Sequence, residues 1–64
     1  MKIIAADNYA RETVSDILIA ENIANAEYAQ VMCDALNAKF GGDYALRFYR
    51  VQPDEYVLYV FDPT

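Results

Sequence analysis

Among the side chains able to do chemistry in these 64 residues are ten carboxylates, the single thiol of Cys33, and the hydroxyls of Thr13 and Ser15; histidine is absent. Acid–base catalysis needs two groups poised around one substrate, and nucleophilic catalysis needs a base beside the nucleophile. Neither Thr13, Ser15 nor Cys33 has such a base in the sequence. A zinc site would need several Cys or His ligands, and the acids show no Asp-x-Asp-x-Asp calcium loop. Asp7-Asn8 and Asp54-Glu55 are short pairs that turn chemistry explains. No glycine-rich phosphate loop or dinucleotide fingerprint occurs. The expectation is a chain that is not an enzyme and carries no cofactor or metal.

The remaining chemistry is charge and contact. Five Lys and Arg against ten Asp and Glu give a net charge of −5. Nucleic-acid binders need a basic stripe, whereas Lys2, Arg11, Lys39, Arg47 and Arg50 are scattered, so no direct nucleic-acid contact is expected. The same sign argues against an anionic membrane, and no apolar run approaches a membrane span or a signal-peptide core. One unpaired cysteine suits a reducing cytoplasm. An acidic chain favours a partner with a basic surface. Spread over a folded surface of roughly 4,000 Å², the charge amounts to about one per 800 Å², too dilute to imitate DNA unless a subset of acids is clustered.

The elements that must position these groups fit one domain, residues 1–64. A 56% hydrophobic content rules out a disordered chain. Residues 2–6 read as a strand followed by a turn. Residues 16–21 read as a second strand; a helix competes, since Val14, Ile17 and Leu18 also fit helical spacing. The next element is a helix, N-capped by Asn25 with Glu27 in its first turn. Its apolar stripe is Ala29, Met32, Cys33, Leu36 and Phe40, and Gly41-Gly42 is a left-handed stop. Cys33 on that stripe is a buried small hydrophobe, and Glu27, Gln30, Asp34 and Asn37 face outward. Residues 44–51 and 56–61 read as a hairpin around a type I turn at Gln52-Pro53-Asp54-Glu55.

The predicted fold is therefore α+β, ββαββ in order, with one helix on a four-stranded antiparallel sheet. Pairing Val51 with Tyr56 sorts the hairpin into two faces. Leu46, Phe48, Val57, Tyr59 and Phe61 would receive the helix. Arg47, Tyr49, Val51, Tyr56, Leu58 and Val60 would form an outer face too apolar for solvent. Such a face marks an association site, covered by a foreign protein, a second copy, or the polypeptide before the helix.

Asp7-Asn8-Tyr9, Arg11-Glu12, Ala20-Glu21-Asn22, Ala35-Leu36-Asn37, Phe48-Tyr49-Arg50-Val51 and Tyr59-Val60-Phe61-Asp62-Pro63 together resemble short accessory proteins of tailed bacteriophages. In size, acidity and compactness the chain is also similar to anti-CRISPR and other anti-defence inhibitors. The resemblance implies a protein that binds and blocks a host machine, in the host cytoplasm. The partner-binding residues expected are Glu27 and Asp34, about 10 Å apart on one helix face, with Asp54 and Glu55 at the hairpin turn. Arg47, Tyr49 and Tyr56 are the expected anchors. The alternative is a homodimeric structural or assembly protein whose acids only keep it soluble.

Overall fold

The apolar run Ile3-Ile4-Ala5 occupies the middle of the sheet, where a strand buried on both faces belongs. In the computed structural model, which describes residues 1–63, β1 (Lys2–Asp7) lies between β2 (Ile17–Ala20) and β3 (Arg47–Gln52), and both pairings are antiparallel. Its pairing with β3 runs without interruption from Lys2↔Gln52 to Asp7↔Arg47. On the other side Ala5 pairs with Ile17 and Ile4 with Leu18. Ile3 then meets Ala20, so Ile19 is an extra, bulged residue. The helix α1 (Ala26–Phe40) precedes β3. The fold is thus α+β with one helix and a three-stranded antiparallel sheet, in the order ββαβ.

The expected fourth strand does not form, and the hairpin is replaced by a different pairing. β3 takes β1 as its partner, and none of residues 53–63 is a strand. The physical reason lies in β1: with β3 on one side and β2 on the other, Ile3 and Ile4 are both fully buried. The Tyr56 N–H donates to the Pro53 carbonyl at 3.0 Å, so the turn spans residues 53–56, one position later than expected.

The facing of β3 is also the reverse of the sequence expectation. Strand alternation and register place Ile3, Ala5, Tyr49 and Val51 on one face, and Ile4, Leu18, Phe48 and Arg50 on the other. The helix covers the first: the Phe40 and Tyr49 ring centroids are 6.5 Å apart. Small residues, Ala29 and Cys33, are the buried positions of α1, while Met32 and Phe40 remain largely exposed. Burial, with Asp34 nearby, pushes the Cys33 thiol above its ordinary pKa, consistent with a packed, unreactive side chain.

Local chemistry sets the ends of α1. The Asn25 side chain accepts the Tyr28 N–H at 2.9 Å, an N-cap as expected. At the other end the Gly41 N–H donates to the Asn37 carbonyl at 2.9 Å with φ −85°, and the positive φ, +131°, falls at Gly42. Gly41 is required by close approach instead: a Cβ there would lie 2.5 Å from the Asn37 carbonyl oxygen. Gly41→Ala should therefore lower stability by about 1–3 kcal/mol, read as a lower urea midpoint.

The face of the sheet opposite the helix is covered by the chain's own C-terminal segment, not by the polypeptide before the helix. Ile4 points to that face and is fully buried. From the turn at 53–56, the chain crosses from the β3 side toward the start of β2. Lys2 Nζ donates to the Tyr56 carbonyl at 3.0 Å. Asp16 Oδ2 accepts the Tyr56 hydroxyl at 2.7 Å and the Tyr59 N–H at 2.9 Å, and the Asp16 N–H donates to the Tyr59 carbonyl at 2.8 Å. Ser15 Oγ accepts the Phe61 N–H at 2.9 Å, and the Tyr59 hydroxyl donates to the Glu12 carbonyl. Residues 53–61 thus form a strap held by side chains and a single main-chain bond to Asp16 where a sheet ladder was expected.

Candidate functional site

The lateral position of α1 creates the site. Asn37, assigned to the solvent face by its helical spacing, is half-buried and grips the free edge of β3. Its Oδ1 accepts the Tyr49 N–H and its Nδ2 donates to the Tyr49 carbonyl, both at 2.9 Å. This double bond pins the helix over the β3 half of the sheet, and α1 makes its main contacts with β3. The β2 half of the same face is left open. Between α1 and β2 runs an apolar groove of ≈ 460 Å³. Ile3, Ile19 and Ala20 line it from the sheet, and Met32, Ala35, Leu36, Lys39 and Phe40 from the helix.

Exposed apolar side chains extend this surface. Ile17 and Ile19 are each more than two-fifths exposed, and on the helix Tyr28 and Val31 are exposed at 60% and 65%. The chain presents 4603 Å² to solvent, against about 4,200 Å² for a compact monomer of its mass. Its radius of gyration is 12.0 Å, against about 10.7 Å for a compact chain of this length. A flat shape with few fully buried side chains is the result.

The cations and the acids differ in how they are partnered. All five Lys and Arg side chains are engaged within the chain. Lys2 donates to Tyr56, Arg11 pairs with Asp7, and Arg47 Nη1 donates to the carbonyls of Ala5 and Ser15 at 3.2 and 2.9 Å. Lys39 lies over the Phe40 ring and Arg50 over the Phe48 ring. Hydrogen bonds from Arg11 hold the Asp7 carboxyl far below the usual carboxylate range. By contrast Glu12, Glu21, Glu27, Asp34, Asp43 and Glu55 enter no ion pair among the described residues. Lys2 and Arg47 are partly buried, Arg11, Lys39 and Arg50 are exposed, and the six acids without an ion pair are all exposed.

Compared with family models, curated proteins and solved structures, the chain matches none. The site therefore stands on its own geometry. Glu27 and Asp34 are exposed on α1, with Asp34 Oδ1 accepting from Gln30. Asp54 and Glu55 stand exposed at the turn after β3, and the N-terminal ammonium pairs with Asp54 at 2.5 Å. Arg47, Tyr49 and Tyr56 are all partly buried, bonded or stacked inside the fold as described. The groove itself was not read from the sequence. Its signals were the uninterrupted Ile17-Leu18-Ile19 run and the second helical stripe of Tyr28, Val31, Met32 and Ala35.

Among the described residues no group of three or more His, Cys, Asp or Glu side chains is placed to hold a metal ion. No helix is long and apolar enough to cross a membrane. What the arrangement offers is an open apolar trough on a chain of net charge −5.

Proposed function

We propose that this chain acts by binding another protein, as a small acidic inhibitor that occupies a basic surface of a host nucleic-acid-processing complex. The apolar groove between α1 and β2 carries the binding part of this reading. An open trough lined by Met32, Leu36, Phe40, Ile19 and Ile3 is costly to leave hydrated, at about 25 cal/mol per Å² of apolar surface. The outward acids support the basic character of the target. The inhibitory role and the anti-defence setting rest on the resemblance to small phage-encoded proteins. Glu27, Asp34, Asp54 and Glu55 are the acids proposed to steer the encounter, with the groove supplying the anchor.

The test uses the tagged chain as bait in a bacterial lysate, beside Met32→Glu and the double variant Glu27→Lys/Asp34→Lys. The wild type should retain a specific protein that Met32→Glu loses. The charge-reversed form should bind it at least about tenfold more weakly, with a flatter salt dependence. Equal retention by wild type and Met32→Glu would remove the groove from the function. The alternative, a homodimeric assembly protein, draws on the surface excess and flat shape described above. Light scattering that shows a tight dimer, dispersed by Met32→Glu, would favour it.

A further inference from the structure

Resting on the protein-binding reading, we infer that β2 receives an extended segment of the partner as a fourth strand: an apolar stretch flanked by lysine or arginine, with alternate side chains in the groove. The two edges of the sheet are treated differently. At the middle of the β3 edge the Asn37 carboxamide takes both the N–H and the carbonyl of Tyr49. Among the described residues the β2 edge faces no other strand. Its first outward amide, that of Asp16, is taken by the Tyr59 carbonyl. Two residues on, alternation points the N–H and carbonyl of Leu18 the same way.

Edges meant to stay single usually carry a lysine, a proline or a covering element. β2 reads Ile-Leu-Ile-Ala, and its one irregularity, the bulge at Ile19, lies in its pairing with β1. An open apolar edge beside an apolar trough suits strand addition: main-chain bonds give affinity, and alternate side chains entering the trough give specificity.

Charge selects the occupant. Asp16 and Glu21 bracket β2. The Asp16 carboxylate is bonded by a hydroxyl and an amide, neutral donors that leave its charge in place. A second copy paired antiparallel through β2 would bring these acid ends against each other, on top of a net charge of −5 on each chain. A segment with a cation at each end meets both. Lys39, the one cation in the groove lining, lies over the Phe40 ring and offers its aliphatic stem to apolar side chains.

The probes are a synthetic peptide of alternating valine and threonine capped at each end by two lysines, and its glutamate-capped counterpart. Each is titrated by NMR into the isotope-labelled chain. The lysine-capped peptide should bind at least about tenfold more tightly, shift Ile19 and Met32, and slow exchange of the Leu18 amide. Leu18→Pro removes an edge N–H outside the β1 ladder, a place where strands tolerate proline. It should cut the affinity about tenfold or more while the fold persists. Should that variant unfold, a synthetic chain with N-methyl-leucine at position 18 removes the same N–H and keeps the side chain. Four outcomes overturn the inference: no binding of the lysine-capped peptide, equal binding of both peptides, an unchanged Leu18 amide, or self-association abolished by the Leu18 change. Groove shifts without any Leu18 effect would sink strand addition alone and leave the groove-binding reading intact.

Discussion

Asp16→Ala should detach residues 53–61 from the sheet and cost about 2–3 kcal/mol, a large share of the 3–5 kcal/mol or so that a single core supplies at this size. The carboxylate accepts both the Tyr56 hydroxyl and the Tyr59 N–H, and bonds to a charged acceptor are worth more than neutral ones. Losing both opens the face on which Ile4 is fully buried. The readouts are a lower urea midpoint and faster chymotryptic cleavage after Tyr59 and Phe61. Tyr56→Phe, which removes one bond, should cost about 1 kcal/mol. The pair also has a pH signature. The Asp16 carboxylate accepting its proton, followed by burial, raises the Tyr56 phenol above its ordinary value near 10.0. A raised folded-state pKa means the contribution is complete below pH 10 and disappears as pH climbs through the folded value. Wild type should lose this increment in strong alkali, and Tyr56→Phe should not. An Asp16→Ala chain with an unchanged midpoint and unchanged cleavage would show that the strap is held by its apolar contacts instead.

The same strap shows why the last quarter of the chain was misread. Residues 56–61 are an uninterrupted run of Tyr, Val, Leu and Phe, the composition of a strand. An extended segment laid across a sheet can carry the same composition, because it too packs against protein. What separates the two is where the backbone amides go. Those of Tyr59 and Phe61 go to the side chains of Asp16 and Ser15, which no local pattern specifies. β1, β2 and the N-cap of α1 were legible because their determinants are local: apolar runs bounded by charged residues, and an asparagine before a helical period. The register of β3 was legible only as a strand, since its partner is chosen by the burial of Ile3 and Ile4, some 45 residues earlier in the chain.

The candidate site followed the same division. The acids Glu27 and Asp34 were legible as an exposed helix face, because spacing alone places them. Arg47, Tyr49 and Tyr56 were read as an outward patch because they shared one side of a hairpin that does not form. The groove depends on how far the helix sits to one side of the sheet. A helical pattern fixes which side chains point toward the sheet but says nothing of that offset. Met32 and Phe40 were therefore read as core, whereas they wall an open trough.

That offset is controlled by one side chain, and its removal gives the second large expected effect. Asn37→Ala should cost about 2–3 kcal/mol, since it deletes two partly buried hydrogen bonds and leaves the Tyr49 N–H and carbonyl without their partners. Hydrogen exchange at the Tyr49 amide should accelerate well before global unfolding. The freed β3 edge should also raise the tendency to self-associate at high concentration. Asn37→Asp separates geometry from hydrogen bonding. Its carboxylate can still accept the Tyr49 N–H, but its other oxygen faces the Tyr49 carbonyl with no proton to donate. Protonation restores a donor, so the new carboxyl should have a folded pKa above the ordinary value of about 3.9. Its stabilising contribution is then complete below that value and fades as pH rises through the folded one. Asn37→Asp should accordingly exceed Asn37→Ala in stability at pH 3 and lose that advantage by pH 7. If the two variants instead keep the same difference in urea midpoint at both pH values, the carboxamide grip on Tyr49 is not what sets the helix over β3.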